Sequence, residues 1–598
     1  MSGFRAGRGD ARDSPRDSSR DSGVIAVITA LLSIVLFMLA AIAVDVGRWY
    51  SEGARVQRAA DAAALAGVPF LPDHLGQART EARSLLDANG YDGAAVSDSD
   101  ITYGDRTTQL KVRLTSTIPN TFASVLGARF KAVTRTAVAE FTPPAVMGST
   151  CNVLGNDPPD AGGQRGASAA CRTANYWSSI GGPDTPKWTS DQFSARWCVS
   201  GNSGCSGGRN LDYWGGRDVL GQPYYVYRVR AERPVSSMSV QVFDPMLVNV
   251  GSYCQRNLSG TPNGIWVAGA VPDRPNPFVT DAVSRYSWGV DRGTNASLGE
   301  VPGPGGRWTG QFCTGDGLGT AAAASQFWTS FLVVNPTDSQ NALRSTPATC
   351  QGITNRPRSF GAFNGDLTKA LVATDPRYNA EVARYFRQWE NLCTIDNPQV
   401  GRDYYLVVRT NVPRNPSVST MLGSGDAPSG GDGANQYGLR VLVGGSPSAD
   451  VSLSAVERLP IFVNQRDVTS TVDLVRVPSS MAGSRMTVTV FDIGNSAGAS
   501  SFWITNPSGT APSGCQADGD VRTGPTGSAC GLSAVTASDG FDGRVQRIRV
   551  PIPTDYTCDD DNPQACWYRL DFVYQPGAVN DQMTWTARVD SDQVQLVQ

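Results

Sequence analysis

Histidine is almost missing from this chain. One residue, His74, serves 598 positions. Imidazole titrates near neutrality and carries most triads, acid–base relays and His-ligated zinc sites. A zinc site with several His ligands is therefore excluded. A His-dependent hydrolase would rest on His74 alone, and in "LPDHLG" that residue reads as part of a solvated loop. Lysine is scarce as well, with four against 47 arginines, and the net charge is −3. No global basic field exists, so no nucleic-acid partner is expected. The absence of any C-x-x-C pair removes zinc-ribbon and thioredoxin-like readings. No P-loop occurs. Long amphipathic helical patterns are scarce after residue 140, while 64 Gly and 37 Pro punctuate the chain. That balance favours β-rich domains with many turns.

One long apolar run is present. "VIAVITALLSIVLFMLAAIAV", residues 24–44, is 21 residues without a charge. As a helix it spans roughly 30 Å, the thickness of a bilayer's hydrocarbon core. The polar tail 1–23 before it holds five Arg, and Arg48, Arg55 and Arg58 follow it closely. Arg and Lys set orientation, so a cytoplasmic N-terminus is expected. A cleaved signal peptide competes, with Ala41-Ile42-Ala43 as a small-residue site. The run exceeds the usual length of a signal core, which favours an uncleaved anchor in the cell membrane. All twelve cysteines lie beyond residue 150: Cys151, Cys171, Cys198, Cys205, Cys254, Cys313, Cys350, Cys393, Cys515, Cys530, Cys558 and Cys566. An even number in loop-rich sequence implies disulfides and an extracytoplasmic location for the C-terminal region.

The chain leaves the apolar run through Asp45, followed by Arg48, Trp49 and Tyr50, side chains suited to the membrane–water interface. "ARVQRAADAAALAG" has high helix propensity. Within it Arg58 and Asp61 are spaced as an i,i+3 pair. Ala59, Ala60, Ala63, Ala64 and Ala66 make a smooth surface suited either to a partner helix or to a plain stalk. An apolar helix, then "AVDVGRWY", then "ARVQRAADAAALAGV" resembles the N-terminal region of TadE/TadG-like proteins of Flp (tight adherence) pilus assembly. The likeness lies in Asp45, Gly47, Arg48, Tyr50, Gln57, Ala59, Ala60, Asp61, Ala62, Ala63, Ala64, Leu65, Ala66 and Gly67. It extends over about 20–145 through "TEARSLLDANGYDG" and a strand–helix–strand segment that includes "PNTFASVLG" and "VTRTAVAEF". The resemblance implies a membrane-exit and helix-packing motif, and Tad-type membrane or pilin-like partners. One departure matters. After Gly23 the sequence reads Val-Ile-Ala-Val-Ile, without the glutamate that prepilin processing uses.

From about 146 onward, alternating strand patterns dominate. "SMSVQVFDP" (237–245) parallels "RMTVTVFDI" (485–493), and "CTIDNPQ" (393–399) parallels "CDDDNPQ" (558–564). The expectation is two related β-sandwich-like domains, 146–450 and 451–598, the first carrying a Gly/Pro-rich insertion within 253–392. The Asp of each "VFD" is read as ending a strand and capping a turn. Asp559, Asp560 and Asp561 offer hard oxygen atoms, yet the parallel loop has only Asp396, and a solvated disulfide loop is the better reading. No cofactor, metal or catalytic residue is expected. The function expected is assembly and surface contact rather than catalysis. One alternative is an anchored adhesin or carbohydrate-binding protein using Trp177, Trp188, Trp197 and Trp214. A second is an anchored carboxylate-dependent glycoside hydrolase.

Overall fold

The computed structural model describes residues 18–71, 75–105, 109–141, 145–157, pieces of 166–185, 224–244, isolated strands between 205 and 210 and between 300 and 357, and most of 389–597. His74, Cys198, Cys254, Cys313, Cys350, Trp188, Trp197, Trp214 and most of the 253–392 insertion lie outside the described residues. The chain divides into two compact units, one of residues 1–141 with 594–598 and one of residues 142–593.

In the smaller unit, α1 (Ser18–Gly67) is a single helix of 50 residues. It continues through Asp45, Gly47 and Gly53, because alanine-rich sequence with high propensity follows each weak point. It ends at Gly67, where Pro69 occupies a following 3-10 turn. Proline cannot continue the helical hydrogen-bond ladder. The second helix, α2 (Leu75–Ala88), stops before Asn89-Gly90, and Gly90 adopts φ +84°. Then come β1 (Ile101–Tyr103), β2 (Gln109–Pro119) and β3 (Phe130–Phe141), all antiparallel. The strand Val594–Leu596 adds to the far edge of β3, opposite Ala139 to Phe141. Residues 594–598 thus belong with the small sheet and not with the second β domain of 451–598 that the strand patterns predict, so residues 142–593 form an excursion between two neighbouring strands.

The larger unit is a mostly β region of several antiparallel sheets. Its first set comprises β4 (Val153–Leu154), β5 (Ser178–Gly181), β6 (Tyr225–Ala231), β7 (Ser237–Phe243), β8 (Trp328–Pro336), β9 (Thr354–Pro357), β10 (Trp389–Asp396), β11 (Asp403–Arg409), β12 (Ala434–Leu442) and β13 (Val451–Val456). The second comprises β14 (Arg458–Val463), β15 (Thr469–Arg476), β16 (Arg485–Phe491), β17 (Ser500–Thr505), β18 (Gly531–Val535), β19 (Val545–Pro551), β20 (Trp567–Tyr574) and β21 (Asp581–Val589). One sheet of the first set runs β10-β7-β12-β4, with β5 also on β12; the other runs β8-β11-β6-β13, with β9 on β8. The second set repeats this order as β19-β16-β21-β14 and β18-β17-β20-β15.

The two central strands recognised as a repeat, β7 and β16, hold matching places. Met238, Val240 and Val242 are buried, as are Met486, Val488 and Val490. Both sets contribute to one hydrophobic core. Trp177 and Phe462 exchange backbone hydrogen bonds of 3.0 and 2.8 Å across the sets. Disulfides join Cys151 to Cys171, Cys515 to Cys530 and Cys558 to Cys566. Cys393 is also disulfide-bonded.

Candidate functional site at the end of the apolar helix

The span 24–44 projects its large apolar side chains outward, and among the described residues α1 is the one helix long and apolar enough to cross a membrane. Asp45 follows at once, and it is buried rather than solvated. Its carboxylate accepts backbone N–H bonds from Thr121 at 2.9 Å, Phe122 at 2.9 Å and Ala123 at 2.7 Å. These donors open the 3-10 turn Ala123–Leu126, which reverses the chain between β2 and β3. Such amides have no partner within the turn itself, so a carboxylate that meets all three satisfies them together. Neighbours on α1 reinforce the clamp. The Arg48 guanidinium donates to Thr121 Oγ1. Trp49 Nε1 donates to Asn120 Oδ1 at 2.8 Å, and the Lys131 ammonium lies 5.5 Å from the Trp49 ring centroid. Gly47 is exposed, with open space where a Cβ would stand. Tyr50 is exposed.

One turn further, Glu52 accepts from Ser116 Oγ at 2.7 Å and from Tyr91 OH at 3.3 Å. Burial and the neighbouring Glu52 raise the Tyr91 phenol above its ordinary range. Gln57 bridges helix and sheet, donating to Asp61 Oδ1 at 2.7 Å and to the Thr136 carbonyl at 3.4 Å. The spacing that suggested an Arg58–Asp61 pair is satisfied differently: Arg58 Nε donates back to the Ala54 carbonyl at 3.2 Å.

The alanine surface is also used differently from the expectation. Ala59, Ala60, Ala63 and Ala64 are buried among Ala78, Ala82 and Leu86 of α2 and Leu110, Val112, Leu114, Ala137, Ala139 and Phe141 of the sheet. Leu65 packs half-buried against the same cluster. The small side chains admit the chain's own helix and sheet, leaving this face no room for a partner helix. Gly67 shows how close the approach is. A Cβ there would lie 2.5 Å from Leu110 Cδ2 and 2.6 Å from the Ala78 carbonyl oxygen.

The sequence pointed to Asp45, Arg48 and the alanines but missed their partners. Glu52, Asn120 and the 121–123 amides carry no local signature, because backbone donors are the same in every residue. In the larger unit, Trp177 is buried and stacks on Phe243 at 5.7 Å between ring centroids, so it serves the core and not a glycan surface. Cys558, Asp560 and Cys566 cluster, yet both sulfurs are joined in the disulfide. Asp560 accepts the Ser479 N–H at 3.0 and 3.2 Å, a structural use of the acidic loop. Asp492 ends β16 at φ +60° and accepts the Gly543 N–H at 2.6 Å.

Residues 23–69 match the family model described as putative Flp pilus-assembly TadE/G-like. The matched segment covers the apolar span, Asp45 itself and the buried alanines of α1, while the amides that Asp45 holds lie beyond it. No curated protein and no solved structure matches the chain.

Proposed function

We propose that this chain is a single-pass envelope protein of the Flp/Tad pilus-assembly type, working by assembly and contact rather than turnover. The observation that carries the reading is the family match over 23–69, which includes Asp45, the residue that ties the apolar helix to the turn of the small sheet. The orientation follows the arginine bias, with the N-terminus cytoplasmic and the disulfide-bonded unit extracytoplasmic. In this reading α1 is both membrane anchor and core helix of the first folded unit. A displacement of the helix at the membrane is then carried into that unit without a flexible joint. For the larger unit, the pairing order favours two sandwiches of the jelly-roll type; in the eight-stranded second set one sheet holds the first, eighth, third and sixth strands and the other the remaining four, and the first set shares this order with additional strands. Their described core positions are filled by side chains, which supports a spacer or contact role.

Since Ala63 faces the interior, contacts with Tad-type membrane or pilin-like proteins are sought from the exposed side of α1. A photo-reactive amino acid at Arg55 or Arg58 in living cells, with mass spectrometry of the adducts, is the test. Capture of pilin-like or platform proteins of such a system supports the reading. Adducts confined to lipid and to the chain itself overturn it.

A further inference from the structure

Outside the apolar span, six large apolar side chains are exposed among the described residues: Tyr50, Tyr103, Phe122, Phe130, Val400 and Leu596. Two of them flank one loop. Phe122 is 45 % exposed and Phe130 65 %. Phe122 gives its own N–H to Asp45. Phe130 opens β3 opposite Pro119. The loop between them is tied down at several points. Asn120 donates to the carbonyls of Arg129 at 3.0 Å and Ala128 at 2.9 Å, and Trp49 donates to Asn120. Loop 120–131 is therefore held beside the first residue after the apolar span. Exposed cations stand on this segment and beside it: Arg129 and Lys131 close it in sequence, and Arg48 reaches Thr121 from α1, while Asp45 is buried under the amides.

We infer that loop 120–131 is a membrane-facing platform. Phe122 and Phe130 enter the headgroup boundary of the bilayer that holds α1, and Arg48, Arg129 and Lys131 meet anionic headgroups. Aromatic rings beside exposed cations at the rim of an apolar span match the chemistry of that boundary. Asp45 is the device that places the platform, because its three hydrogen bonds bring a segment 76 to 78 residues away down to the helix exit. The inference rests on the span 24–44 being the membrane anchor, and it adds a second, lateral attachment that fixes the tilt of the small unit.

The test uses the full chain in vesicles of phosphatidylcholine, with and without phosphatidylglycerol, containing lipid brominated in its upper acyl chain. An environment-sensitive fluorescent amino acid is placed singly at Phe37, Tyr103, Phe122 or Phe130. Phe37 lies inside the span and reports the anchor. Tyr103 is the exposed aromatic at the opposite end of the sheet, nine residues along β2 from the Phe130 pair and so roughly 30 Å away. Bromolipid is expected to quench the probes at 122 and 130 about twofold while sparing 103, with more quenching when phosphatidylglycerol is present. Arg129→Gln with Lys131→Gln is expected to remove that lipid dependence. Quenching at 37 without quenching at 122 and 130 overturns the platform and leaves the anchor standing. No quenching at 37 overturns the anchor and the platform with it.

Discussion

The two strand sets of the larger unit share one pairing order and fill its equivalent positions differently. Align Phe243 with Phe491, and the neighbouring strands fall into register. Val242 faces Leu439 where Val490 faces Trp585, and Phe243 faces Gly438 where Phe491 faces Thr584. Three positions before those last partners stand Asn435 and Asp581, a neutral amide in one set and an acid in the other, both buried. The backbone plan thus tolerates a change of side-chain volume, of polarity and of charge at matched sites. What it retains is the buried Met-x-Val-x-Val-Phe strand at the centre of each inner sheet. The local period specifies the plan, and each set then settles its own packing.

The strongest challenge to this comparison is removal of the largest matched side chain. Trp585 is fully buried and lies 5.9 Å from Phe502 between ring centroids. Trp585→Ala is expected to destabilise by about 4 kcal/mol and Leu439→Ala by about 3 kcal/mol, from lost burial and residual cavity. Because one core runs through both sets, each variant should lower the midpoint of a single urea transition of the full chain in detergent. Two separate transitions, each moved by one variant only, would show that the sets fold independently.

How far these features could be read beforehand depends on whether their cause is local. The span 24–44 and the matched strands were legible, since alternation over seven residues directly records which face is buried. The Asp45 clamp was not, for its donors are peptide groups far along the chain. The C-terminal edge strand has three residues, too few for a period. The second repeat was legible only in part. Cys393 lies within β10 opposite Val240, whereas Cys558 lies in a loop closed to Cys566. Beyond it the core-facing residues are Tyr404, Leu406 and Val408 in β11 but Leu570, Phe572 and Tyr574 in β20. The matched letters therefore run one residue out of step with the fold, and a one-residue slip exchanges the faces of a strand.

The acid in place of an amide gives the next largest effect. Burial pushes the Asp581 carboxyl up to about 6, against hydrogen bonds from Tyr574 OH and the N–H groups of Gly494 and Asn495 that pull it down, while Asp542 adds repulsion. An unfolded aspartate titrates near 3.9. Between these values the folded chain keeps a proton that the unfolded chain has lost. This contribution to stability is therefore complete below about pH 4 and is lost as pH rises through about 6, for a total of roughly 3 kcal/mol by pH 7. Asp581→Asn installs the residue type of the first set and should flatten this part of the profile. Urea midpoints of both proteins from pH 4 to 7 provide the check, and parallel profiles would refute the assignment.

A smaller step concerns the loop that separates the two "DNPQ" segments in kind. The Cys558–Cys566 bridge spans eight residues. Closing a loop of that size restricts the unfolded chain by roughly 2.5 kcal/mol. The double substitution Cys558→Ser with Cys566→Ser should lower stability by about that amount or less, and Asp560 should lose its hold on Ser479. Hydrogen exchange at the Ser479 amide reads the second effect. Unchanged protection there would mean that Asp560 is positioned without the bridge.

The finest distinction between the sets lies opposite the two phenylalanines. Thr584 has room for its side chain, and its hydroxyl comes within 3.3 Å of Tyr225 OH. Gly438 has no such room. A Cβ there would stand 3.2 Å from the Trp177 ring, 3.3 Å from the Asn156 carbonyl oxygen and 3.4 Å from the Trp389 ring. Both tryptophans also pack on Phe243, at 5.7 and 5.4 Å between centroids. The first set has thus exchanged one strand side chain for an aromatic cluster laid across the backbone. Gly438→Ala forces that cluster outward by a few tenths of an ångström and is expected to cost about 1 kcal/mol, the low end of overpacking. Thr584→Ala in the second set overpacks nothing and loses only a hydroxyl contact, a change of about 1 kcal/mol or less. Near-ultraviolet circular dichroism separates the two, since only Gly438→Ala should alter the tryptophan bands. If Gly438→Ala leaves both stability and those bands untouched, the cluster is looser than its distances imply, and glycine at 438 needs another cause.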